Sequence, residues 1–498
     1  MKYLLNMHWM FKELSLSRKS FILALICLGT IYMTSSDTGL ADYFAFNLSN
    51  NNGYSINHKL LQSNEFIYVV WTDTSNSANG RGDIFFRSSN DSGISFSNIS
   101  ILSNIIGDSN LPDISSYGNN VYVTWEDESL TNSHIYFRSS SNNGNTFGTT
   151  LNISNDTVWP TLARVASNKN YVYVVWVGSN ANDPNNFEVF LRSSNDSGQV
   201  FGPIIDLSKS AGDSIDPHIR VPTKSNNLYL AYADCDPKHD DPVCRVYFIR
   251  STNHGLTFDS PLLISKLPFQ DSYVPNAIDF QPRIFSSLSF TPATSVQNMT
   301  GEHNSVIPLI MSSEDGKYVY IFWEDDLTSS GASDIFFRRS SDFGKSFDDT
   351  INISNTPGIS RLAQSITLGN DTYLVWSDTN STIGQFDLFF KKIGEHGKEL
   401  GKTINLSNSN GTSAPSDIGL DYNSRKIYVA WVEKSESQSN IMLATSVDSG
   451  NTFEKPLRVA AGNSLNPTLI QISYNNVSGL AWTEYGRENA DIYFARIS

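Results

Sequence analysis

One short hydrophobic pattern recurs along almost the whole chain and contains the same aromatic position each time. It reads FIYVVWTD at 66–73, and similar segments stand at 120–127, 171–178, 227–234, 318–325, 372–378, 427–433 and 479–484. The aromatic residues that mark these eight units are Trp71, Trp125, Trp176, Tyr232, Trp323, Trp376, Trp431 and Trp482. Six of the seven intervals between them are 51 to 56 residues long, and the exception is 91. Such a period with alternating apolar strands predicts a propeller or another array, not separate domains.

Each unit is predicted to contain four antiparallel strands. The aromatic residue lies on the second strand, the third resembles DIFFRSS at 83–89, and the fourth resembles TTLNIS at 149–154. In six units the first strand is expected to begin at a proline, since a missing N–H group costs little at the start of a strand. These prolines are Pro112, Pro160, Pro217, Pro308, Pro415 and Pro467.

The two ends of the repeat region complement each other. The eighth unit stops after its third strand, and a segment of the fourth-strand type, FAFNLSN, stands at 44–50 before the first unit. Pairing of this segment into the last blade would close the ring and remove the exposed sheet edges. We therefore predict an all-β fold with a single β-propeller over 42–498, made of eight four-stranded antiparallel blades. Seven blades with an irregular element is the alternative, and an insertion at about 266–305 links the fourth and fifth units.

The N-terminal segment predicts export. Arg18 and Lys19 precede an apolar run over 21–33, and small residues up to Ala41 suit cleavage there. We interpret 1–41 as a signal peptide or, alternatively, as an uncleaved anchor that tethers the protein. The expected location is secreted or at the extracellular surface.

Two cysteines and several sequons fit that location. Cys235 and Cys244 lie nine residues apart and are expected to form a local disulfide outside the cell. Sequons such as Asn298 and Asn380 are expected to carry glycans, which would make this a glycoprotein.

Charge restricts the class of partner. The formal net charge is −15 and only 17% of residues are charged. Binding of nucleic acid needs a basic face, so nucleic acid is excluded as a partner. We expect a monomer that binds a glycan or a surface protein, with no membrane insertion beyond the N-terminal anchor.

A second motif follows the third strand of most units. It reads SNDSGISF at 89–96 and recurs at 140–147, 194–201, 251–258, 340–347 and 446–453. Glycine at the fifth position permits a positive φ in a hairpin, and Asp or Asn at the third can bond the backbone of its own turn. The final Phe is expected to pack into the core.

This motif resembles the Asp box of the BNR-repeat, sialidase-like β-propellers, and the resemblance extends over 42–498. It implies that the box is a structural marker away from the active site. The residues assigned to this structural role are Asp91, Gly93, Phe96, Asp196, Gly198, Phe201, Asp342, Gly344, Phe347, Asp448, Gly450 and Phe453. Arginines that recur on the third strand are interpreted as framework residues: Arg87, Arg138, Arg192, Arg250 and Arg338.

The resemblance also implies what a sialidase would require: three arginines that clamp a carboxylate, a Tyr nucleophile activated by a Glu, and an Asp acid/base. Arg164, Arg220 and Arg361 lie on predicted first strands and are the weak candidates for the clamp. Glu484 and Tyr485 are adjacent, but neighbours on a strand point to opposite faces. The family's arginine motif before the first box is missing, so we favour a binding protein over an enzyme.

Binding is expected on the face opposite the boxes, where loops 233–245 and 266–305 share one corner. Asp234, Asp236, Asp240 and Asp241 crowd into the first loop and form the candidate calcium site. Acidic residues that follow the Trp strands are either strand-end caps or a carboxylate rim. The predicted function is an exported glycan- or protein-binding module at the cell surface. The alternative is a sialidase-like glycoside hydrolase with a rearranged site.

Overall fold

The computed structural model describes residues 45–77, 79–103, 107–128, 133–155, 157–236, 243–265, 305–326, 333–379, 385–409, 411–435, 438–470, 472–473 and 477–497. The predicted N-terminal segment 1–41, most of the insertion at 266–305, and both Asn298 and Asn380 lie outside these residues. Within them, no helix has the length and apolar character that crossing a membrane requires.

The described strands form eight antiparallel blades of four strands each. Strand β1 spans Ala45–Asn47 and belongs to the last blade. Blades 1 and 2 consist of β2 (Ser55–Ser63), β3 (Phe66–Asp73), β4 (Asp83–Ser89), β5 (Ser100–Ile101), β6 (Asp108–Tyr117), β7 (Asn120–Glu128), β8 (Ser133–Ser140) and β9 (Leu151–Asn152). Blades 3 and 4 consist of β10 (Thr157–Asn168), β11 (Tyr171–Asn180), β12 (Asp183–Ser194), β13 (Ile205–Asp206), β14 (Asp213–Arg220), β15 (Leu228–Cys235), β16 (Cys244–Ser251) and β17 (Leu262–Leu263).

The second half repeats this order. Blades 5 and 6 consist of β18 (Ser305–Ser312), β19 (Val319–Asp325), β20 (Asp334–Ser340), β21 (Ile351–Asn352), β22 (Ser360–Leu368), β23 (Asp371–Asp378), β24 (Asp387–Gly394) and β25 (Glu399–Asn405). Blades 7 and 8 consist of β26 (Thr412–Asp421), β27 (Ile427–Lys434), β28 (Ser439–Ser446), β29 (Leu457–Ala460), β30 (Ser464–Leu469), β32 (Gly479–Tyr485), β33 (Ala490–Arg496) and β1, while β31 (Ile472–Ser473) pairs in parallel with β26.

The ring closes as predicted. Strand β1 pairs antiparallel with β33, with Phe46 opposite Phe494. A hydrophobic cluster fills each interface between successive blades, including the one between blades 8 and 1, where Leu48, Trp71 and Ile492 pack together. The eight-bladed fold is therefore confirmed, and the seven-bladed alternative is wrong.

The first strand of each blade lies innermost, and it is bulged. Successive first strands contact one another around the ring. In β6 the pairing with β7 skips Leu111 and Pro112, and every other first strand has a register shift at the corresponding place. The prediction that first strands begin at proline is therefore wrong: β6 begins at Asp108, and Pro112 occupies the bulge. A bulged residue makes no ladder hydrogen bond, so proline costs nothing there.

The segments that resemble the Asp box, here called the boxes, form the predicted turns. Asp91 accepts hydrogen bonds from the amides of Ile94 (3.0 Å) and Ser95 (2.9 Å) and from the Ser89 hydroxyl (2.7 Å). Desolvation opposes ionisation, but these bonds outweigh it and hold the pKa of Asp91 at about 2. Asp196, Asp342 and Asp448 accept the corresponding bonds in their own turns.

The boxes also join neighbouring blades. The ring of Phe201 packs edge-on against Phe137 of the preceding blade, with centroids 5.0 Å apart. Phe96, Phe347 and Phe453 make the same contact with the preceding blade. The framework role extends to arginine: Arg87 donates to the Leu48 carbonyl (2.7 Å) at the end of the preceding blade.

Candidate functional site

The acidic residues that follow the Trp strands are bound within their own blades. In seven blades this carboxylate accepts a hydrogen bond from a serine hydroxyl on the first strand. The pairs are Ser55–Asp73, Ser109–Asp127, Ser214–Asp234, Ser305–Asp325, Ser360–Asp378, Ser413–Glu433 and Ser464–Glu484. Blade 3 has Pro160 and Gly178 at these two positions instead. These carboxylates therefore join the first and second strands, which favours the capping interpretation over a carboxylate rim.

The adjacent Glu484 and Tyr485 do not form a nucleophile pair. Glu484 accepts hydrogen bonds from the Ser464 hydroxyl and from the Asn463 amide (3.3 Å). Burial raises the pKa of Tyr485, the opposite of what activation of a phenol requires.

The loop with the candidate calcium ligands is closed by the predicted Cys235–Cys244 disulfide. Asp240 and Asp241 lie outside the described residues, so calcium binding stays a prediction. Asp234 accepts a hydrogen bond from Ser214 at 3.1 Å. Within the described ranges, no three His, Cys, Asp or Glu side chains gather where they could hold a metal ion.

The space enclosed by the eight innermost strands, here called the axial channel, has a polar lining. In each blade, one residue of the first strand pairs with the second-strand residue that directly precedes the aromatic marker; in blade 1 this marker is Trp71. These eight residues, here called the axial ring, are Lys59, Asp113, Arg164, His218, Leu309, Gln364, Asp417 and Thr468. Burial and the charge of Arg164 lower the pKa of Lys59, whereas Asp113 and Asp417 raise it. Groups on four different blades therefore act on one another across the channel.

Three members of the axial ring bind the next blade. Asp113 accepts a hydrogen bond from the Val165 amide at 2.9 Å, and Asp417 accepts one from the Leu469 amide at 2.8 Å. His218 does the same through Nδ1, which accepts from the amide of Ile310 at 3.2 Å. These bonds hold the innermost strands in register around the channel.

His218 is neutral in this arrangement. Its Nδ1 accepts a proton and therefore carries none, which leaves Nε2 as a donor. Burial, reinforced by Arg164, Arg220 and Lys59, lowers the pKa of His218 to about 3.

Other channel groups have unused hydrogen-bonding capacity. The guanidinium of Arg164 makes one long bond, 3.5 Å to the Ala163 carbonyl, within the described part of the chain. Lys59, Gln364 and Asp216 form no side-chain hydrogen bond or ion pair with any described residue, although all are half-buried. Charges across the channel act on Lys59 and Asp216, and the unused hydrogen-bonding capacity of these side chains is available to a ligand.

The three candidate arginines lie on different blades and at different depths. Arg164 belongs to the axial ring, Arg220 lies two residues after the ring position, and Arg361 lies three residues before it. By their pairing with the second strands, the levels of Arg361 and Arg220 are four residues apart, which corresponds to about 13 Å along the channel. Arg164 and Arg220 both act on His218, whereas Arg361 acts on Glu324. The structure thus brings two of the three together.

Two buried glutamates stand beside the channel. The Leu362 amide donates to Oε1 of Glu324 at 2.6 Å, and the Thr161 hydroxyl donates to Oε2 of Glu126 at 2.6 Å. Burial raises the pKa of each carboxyl to about 7, against these opposing hydrogen bonds. Both follow the Trp directly, and both reach the bulge of the next blade's first strand.

Most of these residues were not predicted from the sequence. Lys59, Asp113, His218 and Asp417 were not singled out, although each lies 12 or 14 residues before its unit's aromatic position. A repeat alignment that allowed for the two spacings would have shown charged residues in an otherwise apolar strand.

No protein-family model matches this sequence, and no curated protein matches it in sequence. Solved structures with similarity include a protein of unknown function from Dyadobacter fermentans, at 10% identity over 91% of this chain and 99% of that one, with a TM-score of 0.37. The Trypanosoma rangeli sialidase, solved with the inhibitor DANA, is 8% identical over 89% of this chain, with a TM-score of 0.38. This chain spans 55% of that sialidase chain.

An α-L-arabinofuranosidase from Fusarium graminearum, solved with an iminosugar inhibitor, is 12% identical over 68% of this chain and 92% of its own, with a TM-score of 0.39. Similar solved structures thus include a sialidase and another glycoside hydrolase. Likenesses this weak assign no activity to this chain.

Proposed function

We propose that this protein is an exported propeller that binds acidic glycans at the mouth of its axial channel. The observation that carries the proposal is the pair of half-buried cations, Arg164 and Lys59, whose donors have no close acceptor in the described residues apart from the Ala163 carbonyl. A carboxylate or sulfate on a sugar supplies the acceptors that these groups lack. Because the net charge is −15, recognition of an anion depends on such local cations.

The neighbouring groups suit a sugar. The Asp216 carboxylate accepts hydrogen bonds from hydroxyl groups, and the Gln364 amide both donates and accepts. Polar groups converging on a concave site are the usual means of orienting a small polar ligand. A glycan, free or attached to a surface protein, is therefore the proposed partner.

Binding is favoured over sialidase-type hydrolysis for two reasons. The levels of Arg361 and Arg220 are separated by about 13 Å along the channel at 3.3 Å per residue. Glu484 is bound to Ser464, beside a Tyr485 whose pKa is raised. Export is supported by the character of 1–41 and by the Cys235–Cys244 disulfide, a bond typical of oxidising compartments.

A specific observation keeps hydrolysis as the second candidate. Glycoside hydrolysis needs a carboxylic acid that stays protonated near neutral pH, and the pKa of about 7 at Glu324 meets that need. Glu324 interacts with Arg361 and with Asp216, and Asp216 belongs to the proposed sugar site.

The test is a glycan array with sialylated, uronic-acid, sulfated and neutral glycans, applied to the purified protein. We expect binding to acidic glycans that Arg164→Gln abolishes and that Arg425→Gln, an exposed cation on the box face, leaves intact. Absence of acidic-glycan binding would overturn the proposal. Release of sugar from bound glycans, lost in Glu324→Gln, would replace it with the hydrolase.

A further inference from the structure

One tryptophan differs from the others in the described residues. Trp159 is 47% exposed, whereas the tryptophans of the repeat are at most 3% exposed. It forms no hydrogen bond or ring contact with another described residue. A tryptophan exposed to this extent presents a large flat apolar surface and one N–H donor to solvent.

The backbone at Trp159 is strained. Its φ of 51° lies in the left-handed region, which a bulky residue rarely adopts. Leu111, Ile307 and Leu362 adopt the same conformation at the bulges of other first strands, so the fold imposes it there. The φ of Trp159 therefore reflects a bulge of β10.

Blade 3 lacks the serine–carboxylate hydrogen bond that joins the first and second strands in the other blades. Pro160 and Gly178 replace the serine and the carboxylate of the other seven blades. The first strand has a second register shift there, between Val158 and Thr161. Trp159 lies near the start of β10, and therefore on the face opposite the boxes, which follow the third strands.

Trp159 lies on the same strand as Arg164, five residues earlier. This separation is at most about 16 Å at 3.3 Å per residue, and two bulges shorten it. Thr161 and Leu162, which lie between them, are fixed by their hydrogen bonds to Glu126. By the pairing with β11, Trp159 and Arg164 lie about three strand residues apart, about 10 Å, which exceeds one sugar ring and suits a short oligosaccharide.

We propose that Trp159 forms a second subsite, on which a neutral pyranose stacks while the adjoining acidic sugar binds Arg164. The apolar face of a pyranose fits an indole, whose large flat surface makes it a common binding anchor. This proposal rests on the proposed function and specifies its ligand as an acidic oligosaccharide.

The experiment compares sialic acid, sialyllactose and lactose by calorimetry, with galacturonate and trigalacturonate in parallel. The wild type should bind the matching oligosaccharide about two- to tenfold more tightly than the acidic monosaccharide, since the second sugar adds an aromatic contact. Trp159→Asn should remove that preference without changing affinity for the monosaccharide. Asparagine tolerates a positive φ, so this variant keeps the backbone.

Two further variants serve as controls. Trp159→Tyr should retain most of the oligosaccharide preference, and Tyr117→Ala, which removes a 39% exposed aromatic at the end of β6, should leave it unchanged. Equal wild-type affinity for acidic monosaccharide and oligosaccharide would overturn the subsite and leave the proposed function standing. Trp159-dependent binding of lactose, with no binding of either acidic monosaccharide, would support the subsite and overturn the acidic-ligand function. An oligosaccharide preference unaffected by Trp159→Asn also contradicts the subsite.

Discussion

Replacing Glu324 by glutamine removes a buried ionisable group while keeping a side-chain oxygen for the Leu362 amide, now 2.6 Å from Oε1. Burial raises the pKa of Glu324 from 4.5 to about 7. Between these pH values the folded protein holds a proton that the unfolded chain has released. The contribution of this group to the free energy of unfolding is therefore complete below pH 4.5 and is lost as the pH rises through 7.

The size of the effect follows from the two pKa values. At 1.36 kcal/mol per pH unit, their separation corresponds to roughly 3 kcal/mol. Glu324 is only 4% exposed, so solvent screening reduces this figure little. The Gln side chain does not ionise. The free energy of unfolding of the variant, relative to that of the wild type, should therefore increase by up to about 3 kcal/mol between pH 4.5 and pH 8.5.

The assay is urea unfolding of both proteins at the two pH values. Other titrating groups are common to both proteins and cancel in the difference. Glu65→Gln is the control for removing an exposed carboxylate. A stability difference between Glu324→Gln and wild type that is the same at both pH values would refute the reasoning.

Two further predictions concern the scaffold. Gly198→Ala should destabilise the protein by roughly 1–3 kcal/mol, because φ is 79° and the new Cβ would lie 2.7 Å from Phe137. Gly118→Ala, with a φ of 59° and open space, should cost less in thermal unfolding, and equal losses would contradict the packing argument. Replacing Cys235 and Cys244 together by serine should cost about 2–3 kcal/mol from the loss of loop closure. An unchanged unfolding midpoint would show that the disulfide is not formed in solution.

The features of the fold that depend on short, contiguous sequence motifs could be predicted from the sequence. The Trp strand, the third strand and the box are contiguous motifs, so the repeat, the blade count and the closing strand could all be inferred. The bulges could not, because they depend on how the innermost strands meet around the ring. Pro112 accordingly suggested the start of a strand instead of an interruption within one.

The candidate site was only partly predictable for the same reason. Arg164 was identified, but Lys59 and His218 lie 12 and 14 residues before their aromatic positions, and this variation hid their common level in the ring. Their proximity arises from closure of eight blades, a long-range feature that no single repeat contains.

The most direct test of acidic-glycan binding is a crystal structure of the protein with an acidic glycan selected on the array. The predicted result places the acidic group of the sugar at hydrogen-bond distance, about 2.7–3.0 Å, from the guanidinium of Arg164. A glycan bound with its acidic group at loop 233–245, with the axial channel free of sugar, would contradict it.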